Sequence, residues 1–213
     1  MHWRDRDRPG FRFAEKSNIS IQPIVAPALV GTSRRDCLRH AVSFSRIVII
    51  GRPGGGKSTL ARAIGGRMGL PVVHLDRLFW LPGWVAVDRA TFRRRIADAL
   101  AGGRWVVEGN YPGALDLRLP RADLLVEVEL PRARCIARLL WRACRHRGRD
   151  RADRPDGCPE RFNRRLLARA WHFGRDTAPK LEKGIARHGP GVHRIRLASD
   201  REMAAFLAGL EAG

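Results

Sequence analysis

From residue 46 onward, apolar and polar positions switch between two periods along the chain. Short apolar or alternating runs at Ile47–Ile50, Val72–Leu75, Trp105–Val107, Leu124–Leu130 and Val192–Leu197 read as strands. Between them the spacing turns helical. Leu60, Ile64 and Met68 share a face of a helix from Lys57 to about Met68, which Gly69 and Pro71 stop. Asp88 caps a second helix with Phe92, Ile96 and Leu100 on one side, closed by Gly102-Gly103. Pro131 opens a third, reaching about Arg145 and carrying Ile136, Leu139 and Leu140. Helices resume across roughly Pro159–Arg187 with a break near Thr177–Pro179. Ser199 and Glu202 make a capping box for a last helix holding Phe206, Leu207 and Leu210. Strands alternating with helices predict an α/β fold, a parallel sheet covered on both faces. No apolar run approaches the ~18 residues of a membrane-crossing helix, and no internal repeat is visible.

Residues 1–45 follow neither period. Met1–Arg12 mixes Arg and Asp with Pro and Gly, and Pro23 and Pro27 break the apolar stretch Ile19–Val30. They read as a poorly ordered extension before a domain over 46–213. An upstream start and a nucleic-acid-binding arm are alternatives, the mixed charge speaking against the arm. No compact apolar core and small-residue cleavage site mark a secretory signal.

The strongest local signal joins the first strand to the first helix. Gly51-Arg52-Pro53-Gly54-Gly55-Gly56-Lys57-Ser58 fits Gly-x-x-x-x-Gly-Lys-Ser, with a strand before it and an apolar helix after it. Glycines let main-chain N–H groups turn inward around an anion, and the helix start adds its dipole and unpaired amides. Gly51, Pro53, Gly54, Gly55, Gly56, Lys57, Ser58 and Thr59 are therefore the expected nucleotide contacts. Lys57 is expected on the β- and γ-phosphates, Ser58 on Mg²⁺ and Thr59 near the α-phosphate. The pattern implies a P-loop NTPase fold holding a nucleoside triphosphate. By itself it does not choose among kinase, ATPase and GTPase, though no Asn-Lys-x-Asp segment supports guanine specificity.

In such sheets ligands bind beyond the carboxyl ends of the strands. The second strand ends at His74-Leu75-Asp76 and the third at Glu108-Gly109-Asn110-Tyr111. Asp76 is placed on the acceptor side, as base or orienting group. Glu108 is placed in the metal's water shell, and the two roles are interchangeable at this stage. Helix capping or arginine pairing is the plainer reading of each. Glu127 and Glu129 are rivals for the metal, with arginine pairing again the bland alternative. Trp80, Trp84 and Tyr111 flank the acids and suit a ring-lined acceptor pocket, or a core beneath the loop in the case of the tryptophans. His74 reads as structural. Arg118 and Arg121 precede the fourth strand, where either could reach an acceptor's anionic group or pair with Asp116 or Asp123.

Charge adds one element. The formal net charge of +20 comes from 37 arginines and four lysines against 21 acids. Solvated arginine faces explain part of it. An anionic ligand, polyphosphate or nucleic acid, explains the rest. Arg138, Arg142 and Arg145 sit at helical spacing, and Arg147, Arg149, Arg151 and Arg154 follow them. If residues from about 146 to 160 fold down as a lid, these guanidiniums neutralise a transferring phosphoryl group and exclude water. Arg138 and Arg142 join Lys57, Asp76 and Glu108 as candidate catalytic residues. Cys37, Cys135, Cys144 and Cys158 form no C-x-x-C pair, so a zinc-bearing lid is not expected and free thiols in a reducing cytoplasm are.

The motifs taken together, Arg52-Pro53-Gly54-Gly55-Gly56-Lys57-Ser58-Thr59, Leu70-Pro71-x-x-His74-Leu75-Asp76, Phe79-Trp80-x-Pro82-Gly83-Trp84, Glu108-Gly109-Asn110-Tyr111, Leu130-Pro131-Arg132 and Gly157-Cys158-Pro159-Glu160, resemble the bacterial adenylate-kinase-like DNA topology modulation proteins, the FlaR-related group. The resemblance covers about residues 46–210. It implies a nucleoside-monophosphate-kinase-like fold, with five parallel strands in the order 2-3-1-4-5 and a short lid. That family usually carries Asp where this chain has Glu108, and often Asp in place of Glu129. The expectation is an ATP- and Mg²⁺-dependent phosphotransferase acting on a small molecule, a nucleotide among the candidates. The alternative is an ATP-regulated nucleic-acid-binding protein, although no motif here reads bases.

Overall fold

The apolar run Ile47–Ile50 is buried on both sides, which makes it a central strand rather than an edge. The computed structural model describes residues 44–146, 148, 156–160 and 162–210. The proposed extension, through residue 43, lies outside the described residues.

β1 (Arg46–Gly51) leads through the glycine loop into α1 (Lys57–Met68) and β2 (Val72–His74). A short helix, α2 (Leu75–Phe79), runs into a small hairpin of β3 (Trp80–Leu81) and β4 (Val85–Ala86). Then come α3 (Arg89–Ala99), β5 (Trp105–Glu108), two 3₁₀ turns at Pro112–Leu117 and Leu119–Arg121, and β6 (Leu124–Val128). α4 (Arg132–Arg145) precedes α5 (Arg164–Trp171), α6 (Phe173–Asp176), α7 (Ala178–His188), β7 (His193–Leu197) and α8 (Asp200–Ala208). Among the described residues no helix is long and apolar enough to cross a membrane.

The main sheet has five parallel strands in the order β2-β5-β1-β6-β7. These labels depart from the expected 2-3-1-4-5 because the unforeseen hairpin strands β3 and β4 are numbered between the second and third parallel strands. A strand's side chains alternate sides, and the core divides accordingly. Ile47, Ile49, Val106, Leu124 and Val126 pack with Leu60 and Ile64 of α1 and Phe206 of α8. Val48, Ile50, Trp105, Val107 and Leu125 pack with Phe92 and Ile96 of α3 and Leu181 and Ile185 of α7. Each fully buried aliphatic side chain contributes roughly 1.5–3 kcal/mol.

Asp123 ties the starts of β1 and β6 together. Its carboxylate accepts from the N–H groups of Ser45 (3.1 Å) and Arg46 (2.9 Å) and pairs the Arg46 guanidinium at 2.6 Å. Partial burial pushes its pKa up, but these donors outweigh that and leave it below the usual carboxylate value. A lowered folded-state pKa gives stability that is present above the unfolded value and lost as pH falls through the folded one. Denaturant melts should therefore show this contribution intact above about pH 4 and declining below it. Asp123→Asn should flatten that part of the profile, and an unchanged acid limb would refute the assignment.

Candidate functional site

The glycine loop hangs from the carboxyl end of β1, where the sheet's central position places it between β5 and β6. Gly55 N–H turns back to the Arg52 carbonyl at 3.0 Å. Gly54 lies at φ +83°, and a Cβ there would come 2.3 Å from the Cys135 carbonyl oxygen of α4. Only glycine fits both the dihedral and the gap. Gly56, at φ +93°, caps α1 with no side-chain acceptor, and no acidic residue stands in the first turn. The first amides of α1, at Lys57, Ser58 and Thr59, thus face outward with the positive end of the helix dipole. Lys57 folds over the loop, its Nζ donating to the carbonyls of Gly51 (2.9 Å) and Arg52 (3.1 Å). Burial lowers the pKa of its ammonium, while the charges of Glu108 and Asp76 oppose that. Gly54→Ala is expected to lower stability by roughly 1–3 kcal/mol through the forced backbone, read from denaturant melts, and an unchanged melt would refute it.

Asn110, a residue given no role from sequence, holds Gly51 with both ends of its amide. Its Oδ1 accepts from Gly51 N–H at 3.0 Å, and its Nδ2 donates to the Gly51 carbonyl at 2.9 Å. Its position two residues past the third parallel strand was the available signal.

Glu108 meets two partners at one oxygen. Ser58 Oγ donates to its Oε1 at 3.0 Å, and His74 Nδ1 lies 2.9 Å from the same atom. His74 and Glu108 are both buried. A serine hydroxyl beside a carboxylate is an oxygen set suited to a hard cation such as Mg²⁺. Among the described residues no three His, Cys, Asp or Glu side chains cluster as a complete cage. A cation here would complete its shell with water and ligand oxygens, as Mg²⁺ does beside phosphates. The rival acids turn elsewhere: Glu127 pairs Arg194 at 2.7 Å and Glu129 pairs Arg196 at 3.3 Å, both on β7.

On the side of β2, Tyr111 OH donates to Asp76 Oδ1 at 2.6 Å. Burial, then the neighbouring Asp76 charge, drives the phenol pKa well up, so it stays a donor. Tyr111 tilts against Phe79 (5.2 Å) and Phe92 (4.8 Å). Trp80 meets Phe79 edge-on at 4.8 Å and Trp84 at 5.6 Å. Both tryptophans are half-buried on the hairpin.

The arginines divide. Arg118 needs correcting: it is fully buried and reaches no ligand surface. Its guanidinium donates to the carbonyls of Gly109 (2.7 Å), Asn110 (2.7 Å), Ala114 (3.2 Å) and Tyr111 (3.2 Å). Burial lowers its pKa to about 10. Arg121 likewise donates to backbone carbonyls, those of Leu100, Ala101 and Gly102. Arg138 borders the loop, 3.7 Å from where a Gly56 Cβ would lie, and pairs Asp200 at 2.8 Å. Arg142 pairs buried Glu160 at 3.1 Å, and its charge is felt at Lys57. Arg145 leaves this group and stacks on Trp141 at 5.4 Å. Arg147, Arg149, Arg151 and Arg154 lie outside the described residues, and with them most of the supposed lid. Two arginines were given no role from the sequence. Arg52 donates to the Ala170 carbonyl and covers the Phe173 ring at 5.2 Å, tying the loop to α5 and α6. Arg169 of α5 makes its charge felt at Tyr111.

Residues 157 and 158 are tied to the hairpin. Gly83 N–H donates to the Gly157 carbonyl at 2.9 Å, and Cys158 Sγ donates to the Leu81 carbonyl at 3.2 Å. Cys135, Cys144 and Cys158 are free thiols, as expected.

No family model matches the chain, and no curated protein matches it. Among solved structures it is similar to an unliganded sugar kinase of Janibacter sp. HTCC2649, with 17% identity over 77% of this chain and 92% of that one, at a TM-score of 0.42. It is also similar to a candidate kinase of Chloroflexus aurantiacus j-10-fl, with 15% identity over 77% of this chain and 95% of that one, again at 0.42. At that score neither bears on what this chain does, and the resemblance to topology modulation proteins stays an expectation from sequence motifs.

Proposed function

We propose that this protein is an ATP- and Mg²⁺-dependent, P-loop kinase-like phosphotransferase acting on a small molecule. The observation that supports it best is the meeting of Lys57, Ser58 and Glu108 at the mouth of a loop only glycine can form. In this reading the amides of Gly54–Ser58 take the phosphate oxygens, and Lys57 exchanges loop carbonyls for the β- and γ-phosphates. Ser58 and Glu108 would hold Mg²⁺, which neutralises charge on the phosphate oxygens when bound. Arg138 and Arg142 stand beside the loop to add positive charge. Asp76 and the aromatic rings form the acceptor side.

Titration calorimetry on the full chain should give a saturable heat with Mg·ATP that weakens when EDTA removes the metal. No heat with any purine triphosphate would end this reading.

The nucleic-acid alternative rests on net charge, and many arginines behind that charge are occupied within the fold. Arg46, Arg93 and Arg194 pair acids, while Arg95, Arg104, Arg118 and Arg121 hold backbone carbonyls. If it held, DNA affinity would fall steeply with salt through counterion release.

A further inference from the structure

β2 and β5 run side by side with His74 opposite Glu108, each the last residue of its strand. Register partners in neighbouring parallel strands put their side chains on the same face of the sheet. Two residues back, the partners Val72 and Val106 pack on the face that α1 covers. That apolar row therefore turns polar where it meets the first turn of α1, which carries Ser58.

His74 is also the N-cap of α2, and its side chain makes no capping bond there. Its Nδ1 lies instead 2.9 Å from Glu108 Oε1, the atom to which Ser58 Oγ donates at 3.0 Å. An ionised carboxylate only accepts, so Nδ1 carries a proton and donates. A glutamate side chain turns about three torsions, and holding it in one geometry costs entropy. The Ser58 hydroxyl cannot hold it alone, because that hydroxyl is itself a rotor. The imidazole is buried, and its Nδ1 is a fixed donor close to the main chain of β2. With Glu108 so fixed, the Ser58 hydroxyl keeps its proton on Oε1 and its oxygen lone pairs for a cation. Outlying donors orient metal-site carboxylates in this way, and losing one typically costs about 10–100-fold in metal affinity or activity.

We propose that His74 is a positioning residue for the cation site: it fixes Glu108, and through Glu108 the Ser58 hydroxyl, in the geometry that takes Mg²⁺ with the triphosphate. This rests on the phosphotransferase reading above. The donor has to sit where Nδ1 sits, and its effect has to appear only when the metal is present.

The test is titration calorimetry of ATP on the full chain, once with Mg²⁺ and once with EDTA. The ratio of the two Kd values measures the coupling between metal and nucleotide. His74→Leu should raise Kd with Mg²⁺ about 10–100-fold and leave Kd with EDTA unchanged, because the loop amides and Lys57 take the phosphates without Glu108. His74→Asn should recover most of the Mg²⁺ arm, since its Nδ2 stands as many bonds from Cα as Nδ1 does. His74→Gln, whose amide nitrogen stands one bond farther out, should not. A side chain that only packs would move both arms together and would not separate Asn from Gln. An unchanged Mg²⁺ arm in His74→Leu, an equal loss in both arms, or equal behaviour of the Asn and Gln variants each overturns the proposal. If His74→Leu fails to fold, the comparison of Asn with Gln decides alone. Absence of an ATP heat in the parent chain, or of any weakening by EDTA, would instead bring down the underlying phosphotransferase reading.

Discussion

Lys57→Ala is expected to reduce Mg·ATP turnover on the order of 10²–10³-fold or more, the effect of deleting a preorganised charge from a transition-state site, while the fold stays intact. The two halves of this expectation have separate causes. The loss arises because the Lys57 ammonium is placed over the glycine loop. The fold survives because neither carbonyl is orphaned. Gly51 O still accepts from Asn110 Nδ2 and Arg52 O from Gly55 N–H. Burial already disfavours the charged ammonium, so its removal relieves a desolvation cost. Steady-state kinetics alongside a thermal melt checks both halves. Undiminished turnover would sink the site assignment, and collapse of the melt would sink the argument for an independent loop.

Arg118→Met should have the opposite profile, a large loss of stability. Methionine can fill much of the volume but none of the hydrogen bonds. The carbonyls of Gly109, Asn110 and Ala114 would then lose a donor in a buried setting, at roughly 1–3 kcal/mol for each group left unsatisfied. Tyr111 O keeps the Ala114 N–H and suffers less. A total of about 3–5 kcal/mol follows, allowing for partial relaxation, which lowers Tm by roughly 10 °C in a domain of this size. Arg118→Lys should recover only part, since one ammonium cannot reproduce a planar fork. A melting curve identical to the parent's would refute the role.

What could be read from the sequence follows from how local its cause was. The bounds Lys57–Met68 of α1 matched expectation because glycine loop, apolar face and Gly69 all lie within the segment. Asp88 caps α3 as expected, accepting from Thr91 N–H at 2.9 Å. The strand end at Glu108 was legible, whereas Asp76, expected just past a strand ending at Leu75, falls in the first turn of α2 because β2 stops at His74. The hairpin β3–β4 was not, since two-residue strands have no period to detect. The helices after residue 159 were placed as a run with one break, whereas α5 starts only after the Asn163 cap and a second break falls at His172. Arg118 misled because an arginine next to a strand reads as exposed. Its burial depends on four carbonyls brought together by a 3₁₀ turn and a strained loop, which spacing does not reveal. Asn110 acts across the fold, on Gly51 at the end of β1, a partner that its own stretch of sequence does not name.

The bond from Gly83 N–H to the Gly157 carbonyl, with the Cys158 thiol alongside, makes the tryptophan-bearing hairpin and the segment after residue 156 a single leaf. Neither edge can swing outward without breaking that stitch. Local unfolding proceeds in cooperative units, so exchange of the Gly83 amide with deuterated solvent should report the opening of both edges as one event.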